Sequence, residues 1–434
     1  MTAFETRQIH EGQTPDSDTG ARALPIYQTT SFVFNDAQIA AGRFALKDLG
    51  PVYTRLANPT VQAVEERIAA LEGGVGAVLT SSGQAAAFLA IVNIAGAGDH
   101  IVASPSLYGG TYNLLDITLR KLGVETTFVE NPGNIDEWKA AVQPNTKAFF
   151  GETLTNPQSS VLNLPELSKA AHDAGVPLIV DNTLATPYLL RPIEHGADVV
   201  LHSATKFLGG HGTSIAGVIV DSGNFDYSTD PDKFPGFNEP DESYNGLVFA
   251  RDLGPDSDFG ANVSYGIKIR VQLLRDLGPS ASPFNAFLIA QGLETLSLRV
   301  ERHVENAQKV ATFLENHDQV THVNYAGLES SPYNALAKQL LPKGAGAVLS
   351  FDIAGGYDAA VKFVEALELH SHVANIGDAR SLVIHPASTT HSQLSKEAQA
   401  KSGVNPALVR LSVGLEGVDD IIADLEKGFA AARG

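Results

Sequence analysis

The 434-residue chain contains no cysteine. That removes disulfides, thiolate metal sites and a cysteine nucleophile from consideration. Basic charge is also scarce: 30 Lys and Arg stand against 49 Asp and Glu, a formal net charge of −19 at pH 7. Such a surface repels phosphate backbones and argues against a nucleic-acid partner. An anionic small molecule would need a local cationic site working against that field. Long apolar runs are missing as well. None can span a bilayer, and Met1–Arg7 lacks the apolar core of a signal peptide, so a cytoplasmic protein without a membrane partner is expected. Repeats and low-complexity tracts are absent. His202, His211, His385 and His391 match no standard ligand spacing, and no metal is expected.

What is present suits a large soluble protein, with 44% hydrophobic and 18% charged residues. The length suggests two or three domains. Residues 1–60 read as an irregular, extended segment of the kind that packs on a neighbouring subunit. From Thr60 onward helical and strand-like windows alternate, with strands at Ala77–Thr80, His100–Ala103, Glu125–Val129, Thr146–Phe150, Pro177–Val180, Asp198–Leu201 and Ile215–Val220. Alternation of this kind predicts an α/β domain over 61–282, a mostly parallel sheet between helices. Within it, 222–265 is aperiodic and rich in Asp, Pro, Gly, Phe and Tyr, and reads as an ordered cover. A long helical region from Pro283 then leads into a smaller α+β domain, 283–434.

The densest chemistry lies in His202-Ser203-Ala204-Thr205-Lys206-Phe207-Leu208-Gly209-Gly210-His211, directly after an apolar strand. Open α/β sheets bind ligands at the carboxyl ends of their strands, and desolvation there frees a lysine amine to attack a carbonyl. Flanking hydroxyls on Ser203 and Thr205 can hold a phosphate, so the window suits pyridoxal phosphate bound as a lysine Schiff base. It suits an ordinary surface lysine too. A second strand ends in Asp181, 25 residues earlier, where a carboxylate can face the pyridine nitrogen or simply cap a turn.

Other segments add parts. Ser82-Gly83-Gln84 joins a strand to a helix whose N-terminal amides can hold an anion, as in many α/β loops. Tyr108 can stack on a planar ring or be a half-buried loop tyrosine. Tyr53 and Arg55 pair a phenol with a guanidinium, a match for phosphate. Arg410, inside an apolar strand, requires an anion from protein or ligand.

In order along the chain, these segments and Thr155-Asn156-Pro157, Ser282-Pro283-Phe284 and Arg410–Glu416 resemble the Cys/Met-metabolism family of fold-type-I pyridoxal-phosphate enzymes. The resemblance implies Lys206 as Schiff-base lysine and proton shuttle and Asp181 as partner of the pyridine nitrogen. It places Tyr108 on the ring, and Ser82, Gly83, Gln84, Ser203 and Thr205 around the phosphate, joined by Tyr53 and Arg55 from a neighbouring subunit. Arg410, with Asn156 and Ser381, would bind the substrate carboxylate. At least a dimer follows, and the family is typically a tetramer built as a dimer of dimers.

Within the family the chain is most similar to the O-acetylhomoserine sulfhydrylase branch, through Asn375–His391, Gln84 and the extra length near 222–265. That implies a γ-replacement: O-acetylhomoserine and sulfide give homocysteine and acetate, with methanethiol a second candidate nucleophile, and 222–265 excluding larger thiols. Cystathionine γ-synthase or γ-lyase activity is the alternative within the family. A catalytically silent binding protein of the same fold is the alternative outside enzymes.

Overall fold

The computed structural model describes residues 2–48, 50–390, 392 and 403–433; His391 lies outside the described residues. Seven strands form the larger sheet: β1 Gly76–Thr80, β2 His100–Ala103, β3 Glu125–Phe128, β4 Thr146–Glu152, β5 Leu178–Asp181, β6 Val199–Ser203 and β7 Gly217–Asp221. Their order is β1-β7-β6-β5-β4-β2-β3. All neighbours from β3 across to β6 are parallel. β7 alone runs against its neighbours β1 and β6. The Ala204–Ala216 connection is too short for the crossover helix that a parallel pair needs, so the chain folds straight back.

Helices cover both faces, which is why a strand such as β4 is buried at every position, its terminal polar residues included. Pro59–Glu72, Leu164–Asp173 and Leu296–Glu315 pack one face; Gly83–Val92 packs the other. Local chemistry sets their ends. The Asn58 side chain accepts the Thr60 N–H, Pro59 occupies the first turn, and Gly73, at φ +87°, closes the helix in a left-handed conformation. Ser82 caps Gly83–Val92 by accepting the Ala85 N–H at 3.1 Å.

The smaller sheet has β8 Val320–Asn324, β9 Val348–Ile353, β10 Ser371–His372, β11 Leu382–Ile384 and β12 Leu408–Ser412, in the order β10-β11-β12-β9-β8. Helices Gly356–Glu365 and Val418–Ala432 close its back, with Phe363 and Phe429 rings 4.7 Å apart. No helix among the described residues is long and apolar enough to cross a membrane.

Two expectations need correction. The first residues are not extended throughout. They form a helix, Phe4–His10, docked on its own chain, where buried Gln8 bonds Ser297 and Arg7 donates to the Ala70 carbonyl. The stretch that stays open comes later, with Val33 91%, Phe44 68% and Tyr53 42% exposed.

Nor do the aromatics of 222–265 form a cover over the carboxyl ends of the strands. Tyr227 stacks on Phe237 at 4.2 Å and lies 5.7 Å from Tyr265, all three buried in the core beside Gly83–Val92. Lys147, at the start of β4, donates to the Lys233 carbonyl, and Lys233 donates to the Ala174 carbonyl just before β5. The segment is therefore anchored at the amino ends of the strands, opposite Asp181 and Lys206. Large rings gain more from burial against the sheet than from a solvent-facing lid. Phe237→Ala is expected to cost about 3–5 kcal/mol in urea unfolding, the usual range for a fully buried phenylalanine.

Candidate active site

Lys206 sits in the tight return between β6 and β7. Thr205 Oγ1 donates to the Ala216 carbonyl and accepts the Ala216 N–H, both at 3.1 Å, closing the neck of the turn. That geometry engages the Thr205 hydroxyl with the backbone. Behind the turn, buried Arg299 donates to the carbonyls of Phe207, Leu208 and Gly292. The lysine is thus held from below while its amine points to the other domain. Nζ donates to Asn375 Oδ1 at 2.5 Å, and the Asn375 carbonyl accepts Arg410 Nη2 at 2.9 Å. Burial first, and then the Arg410 charge, lower the affinity of the amine for its proton. A larger share of free base is the state a nucleophilic lysine needs.

Parallel pairing aligns the carboxyl ends of β4, β5 and β6, with Glu152 opposite Asp181 and Asp181 opposite Leu201. Asp181 accepts the Thr183 N–H at 2.8 Å. Burial raises its carboxyl, opposed by the Thr183 hydrogen bonds and the charge of His202. His202 is itself buried and bonds Glu72 Oε1 at 2.5 Å, an oxygen that also accepts from Asn182 at 2.9 Å. This network ties the Pro59–Glu72 helix to the strand ends beneath the site.

Gly83 and Ser203 face each other closely. A Cβ at residue 83 would stand 2.8 Å from the Ser203 Cβ, so the approach admits only glycine. Free amides at the start of Gly83–Val92 open toward the same place. Ser82 contributes its hydroxyl to the helix cap, and Gln84 Oε1 accepts from Thr111 at 3.1 Å. Tyr108 lies at the start of the following loop helix, its backbone N–H on Glu152.

Arg410 is 8% exposed on β12, and burial pushes its guanidinium down to about 10, offset in part by Tyr108. Its Nε and the Oδ1 of Asn156 are buried and find no hydrogen-bond partner among the described residues. Buried polar atoms normally have partners, so each of these atoms is free to take a polar group of a ligand. A planar aldehyde phosphate fits the set: an amine, a carboxylate across from it, a glycine-lined amide cradle and unpaired donor and acceptor groups beyond.

Ser381 does not belong to that set. It is fully buried, donates to Glu416 Oε2 at 2.9 Å and accepts the Gly414 N–H, so its hydroxyl is consumed inside the small domain. The group that reaches the lysine from this segment is Asn375, six residues earlier, which sequence reading passed over. Its only signal was membership of the same motif. Tyr53 and Arg55 are likewise not drawn to Lys206 within one chain. Tyr53 bridges Ser31, and Arg55 lies over the Tyr53 ring at 5.4 Å.

A cleft of about 590 Å³ elsewhere, lined by Arg43, Glu65, Tyr244 and Arg270 among others, lacks comparable chemistry. Its main charges already satisfy each other, Arg270 to Glu65 at 2.7 Å. Among the described residues no cluster of three or more His, Cys, Asp or Glu is placed to hold a metal.

The model of a family described as Cys/Met metabolism PLP-dependent enzyme matches residues 5–430. An O-acetyl-L-homoserine sulfhydrylase of Corynebacterium glutamicum is 58% identical, over 99% of this chain and 97% of its own. A homocysteine synthase of Schizosaccharomyces pombe is 51% identical, over 99% and 98%. Among solved structures, a putative O-acetylhomoserine (thiol)-lyase of Campylobacter jejuni superposes with a TM-score of 0.94 at 39% identity, covering 99% of this chain and all of that one; it carries N'-pyridoxyl-lysine-5'-monophosphate.

His303 stands behind the lysine turn, edge-on to Phe207 at 5.3 Å, with Nδ1 on the Val413 carbonyl. Burial pushes its imidazole down from 6.5 to about 4. Between those values the unfolded chain binds the extra proton. The stability from the neutral ring is therefore complete above about pH 6.5 and lost as pH falls toward 4. Urea unfolding at pH 7.5 and 5.5 should show the wild type losing about 1 kcal/mol more than His303→Gln.

Proposed function

Because the chain belongs to the Cys/Met metabolism PLP-dependent enzyme family, we propose that it catalyses γ-replacement on O-acetyl-L-homoserine with sulfide, releasing L-homocysteine and acetate. The observation that carries this reading is the junction where Lys206, at the Asp181 end of the larger sheet, bonds Asn375 and through it Arg410 of the smaller sheet, in a chain similar over nearly its whole length to sulfhydrylases. The Cγ–O bond of the ester breaks, a Cγ–S bond forms, and acetate leaves without needing the strong protonation an alkoxide would require.

Bound to a lysine, pyridoxal phosphate supplies an electron sink that stabilises negative charge at the substrate α carbon. The chain supplies the rest. Lys206 would hold the group through its amine and would serve as the base and acid that moves protons at the α and β carbons. Its lowered proton affinity suits a base working near neutrality. Asp181 would supply the negative charge for the ring nitrogen. Gly83, Gln84, Ser82 and Ser203 would hold the phosphate, with Thr205 shaping the turn beside it. Tyr108 would stack on the ring. The Arg410 guanidinium, with Asn156, takes the α-carboxylate in a two-pronged grip and so orients the α proton toward the lysine.

A second chain completes the site in this reading, delivering Tyr53 and Arg55 to the phosphate, with tetramer as dimer of dimers the assembly. What supports it is the open Val33, Phe44 and Tyr53 stretch, whose apolar side chains are exposed in the single chain. The same reading makes this a cytoplasmic biosynthetic enzyme.

Lys206→Ala is expected to abolish the visible absorption of the bound cofactor and to lower turnover by at least about 10²–10⁴-fold. Arg410→Ala should raise KM for the amino acid far more than it changes the sulfide dependence. With wild type, acetylhomoserine plus sulfide should outpace both succinylhomoserine plus sulfide and acetylhomoserine plus cysteine. Faster turnover with cysteine would favour a cystathionine γ-synthase instead.

A further inference from the structure

Glu152 is a buried acid that none of the chemistry above uses. It ends β4, is 5% exposed, and has no ion pair among the described residues. Two contacts define its position. Its register partner on β5 is Asp181, so the two side chains leave neighbouring strands on the same face, about 5 Å apart at their roots. Its Oε1 accepts the backbone N–H of Tyr108 at 2.5 Å. One carboxyl group therefore bonds the residue assigned to the ring face and stands beside the residue assigned to the pyridine nitrogen.

We propose that Glu152 is a positioning residue that couples the placement of Tyr108 to that of Asp181. The proposal rests on the functional reading above for the location of the ring. Two carboxylates side by side in a buried place cannot both carry charge. Burial, and then the charge of Asp181, push the Glu152 carboxyl well above the ordinary carboxylate range. Asp181 has compensation from Thr183 and His202, whereas Glu152 has only the Tyr108 amide. Glu152 is accordingly the neutral partner. A neutral acid presents a carbonyl oxygen to Tyr108 and leaves the single negative charge of the pair to Asp181.

Glutamine reproduces that neutral group at the same length. Aspartate is one methylene too short to hold the Tyr108 amide, and alanine removes the contact. Wild type, Glu152→Gln, Glu152→Asp and Glu152→Ala are loaded with pyridoxal phosphate. Cofactor dissociation and the visible circular dichroism of the bound chromophore are then measured, with thermal melting as a control for folding. Asp and Ala variants should release the cofactor about tenfold more readily, the effect of leaving one buried donor unpaired. They should also lose the wild-type visible dichroism, while Gln restores both to within about twofold. Unchanged dichroism and affinity in the Asp variant overturn the proposal, as does a Gln variant that melts like wild type yet behaves like Ala. If Ala fails to fold, the Asp and Gln pair decides alone. A wild type that takes up no cofactor would instead overturn the functional reading, recognisably because all four proteins would then behave alike.

Discussion

The contact on which this molecule depends is the one between its two sheets at Lys206. The lysine belongs to the return after β6 of the larger sheet; the asparagine it bonds and the arginine behind that asparagine belong to the smaller one. Everything nearby fixes this junction. Arg299 holds three carbonyls around the lysine turn, His303 joins Phe207 to Val413, and the Gly210 carbonyl accepts the Ala379 N–H at 2.9 Å. Neither sheet alone would present an amine, a carboxylate and a guanidinium to one small ligand.

Electrostatics at the junction is a matter of placing few charges where water is scarce. The chain carries a net −19, yet the site gathers cations: Lys206, Arg410 and, behind them, Arg299. Burial lowers the proton affinity of all three, and for Lys206 that favours the free base. The acids follow the opposite rule. Glu152 and Asp181 are both raised by burial, and the hydrogen bonds around them determine which one keeps the negative charge. An anionic substrate is thus met by a local positive field inside a negative protein.

Much of the larger domain was legible in the sequence because its strands are buried on both faces. Unbroken apolar windows such as Ile101–Ala103 and Leu178–Val180 admit little other reading, and turn residues mark where they stop. The reversal of β7 was not legible, since period and composition are the same for parallel and antiparallel strands. The 222–265 segment misled for a related reason: aromatic content tells that a segment packs, not against which edge. Ser381 and Asn375 show the same limit at the scale of one side chain. Both lie in one motif, and only the path of that loop turns Ser381 toward Glu416 and Asn375 toward the lysine.

By itself, the order of residues determined the α/β class, the family resemblance and the pairing of a lysine with an aspartate after two apolar strands, because these depend on local pattern and spacing. Tertiary structure alone decided which groups share a surface. It brought Arg410 and Asn375 from the far domain to Lys206, set Glu152 beside Asp181, and sent the aromatic segment to the opposite edge. The reason is physical. Hydrogen-bond partners, desolvation and charge coupling act through space, and residues 169 or 204 positions apart meet only after two sheets have packed.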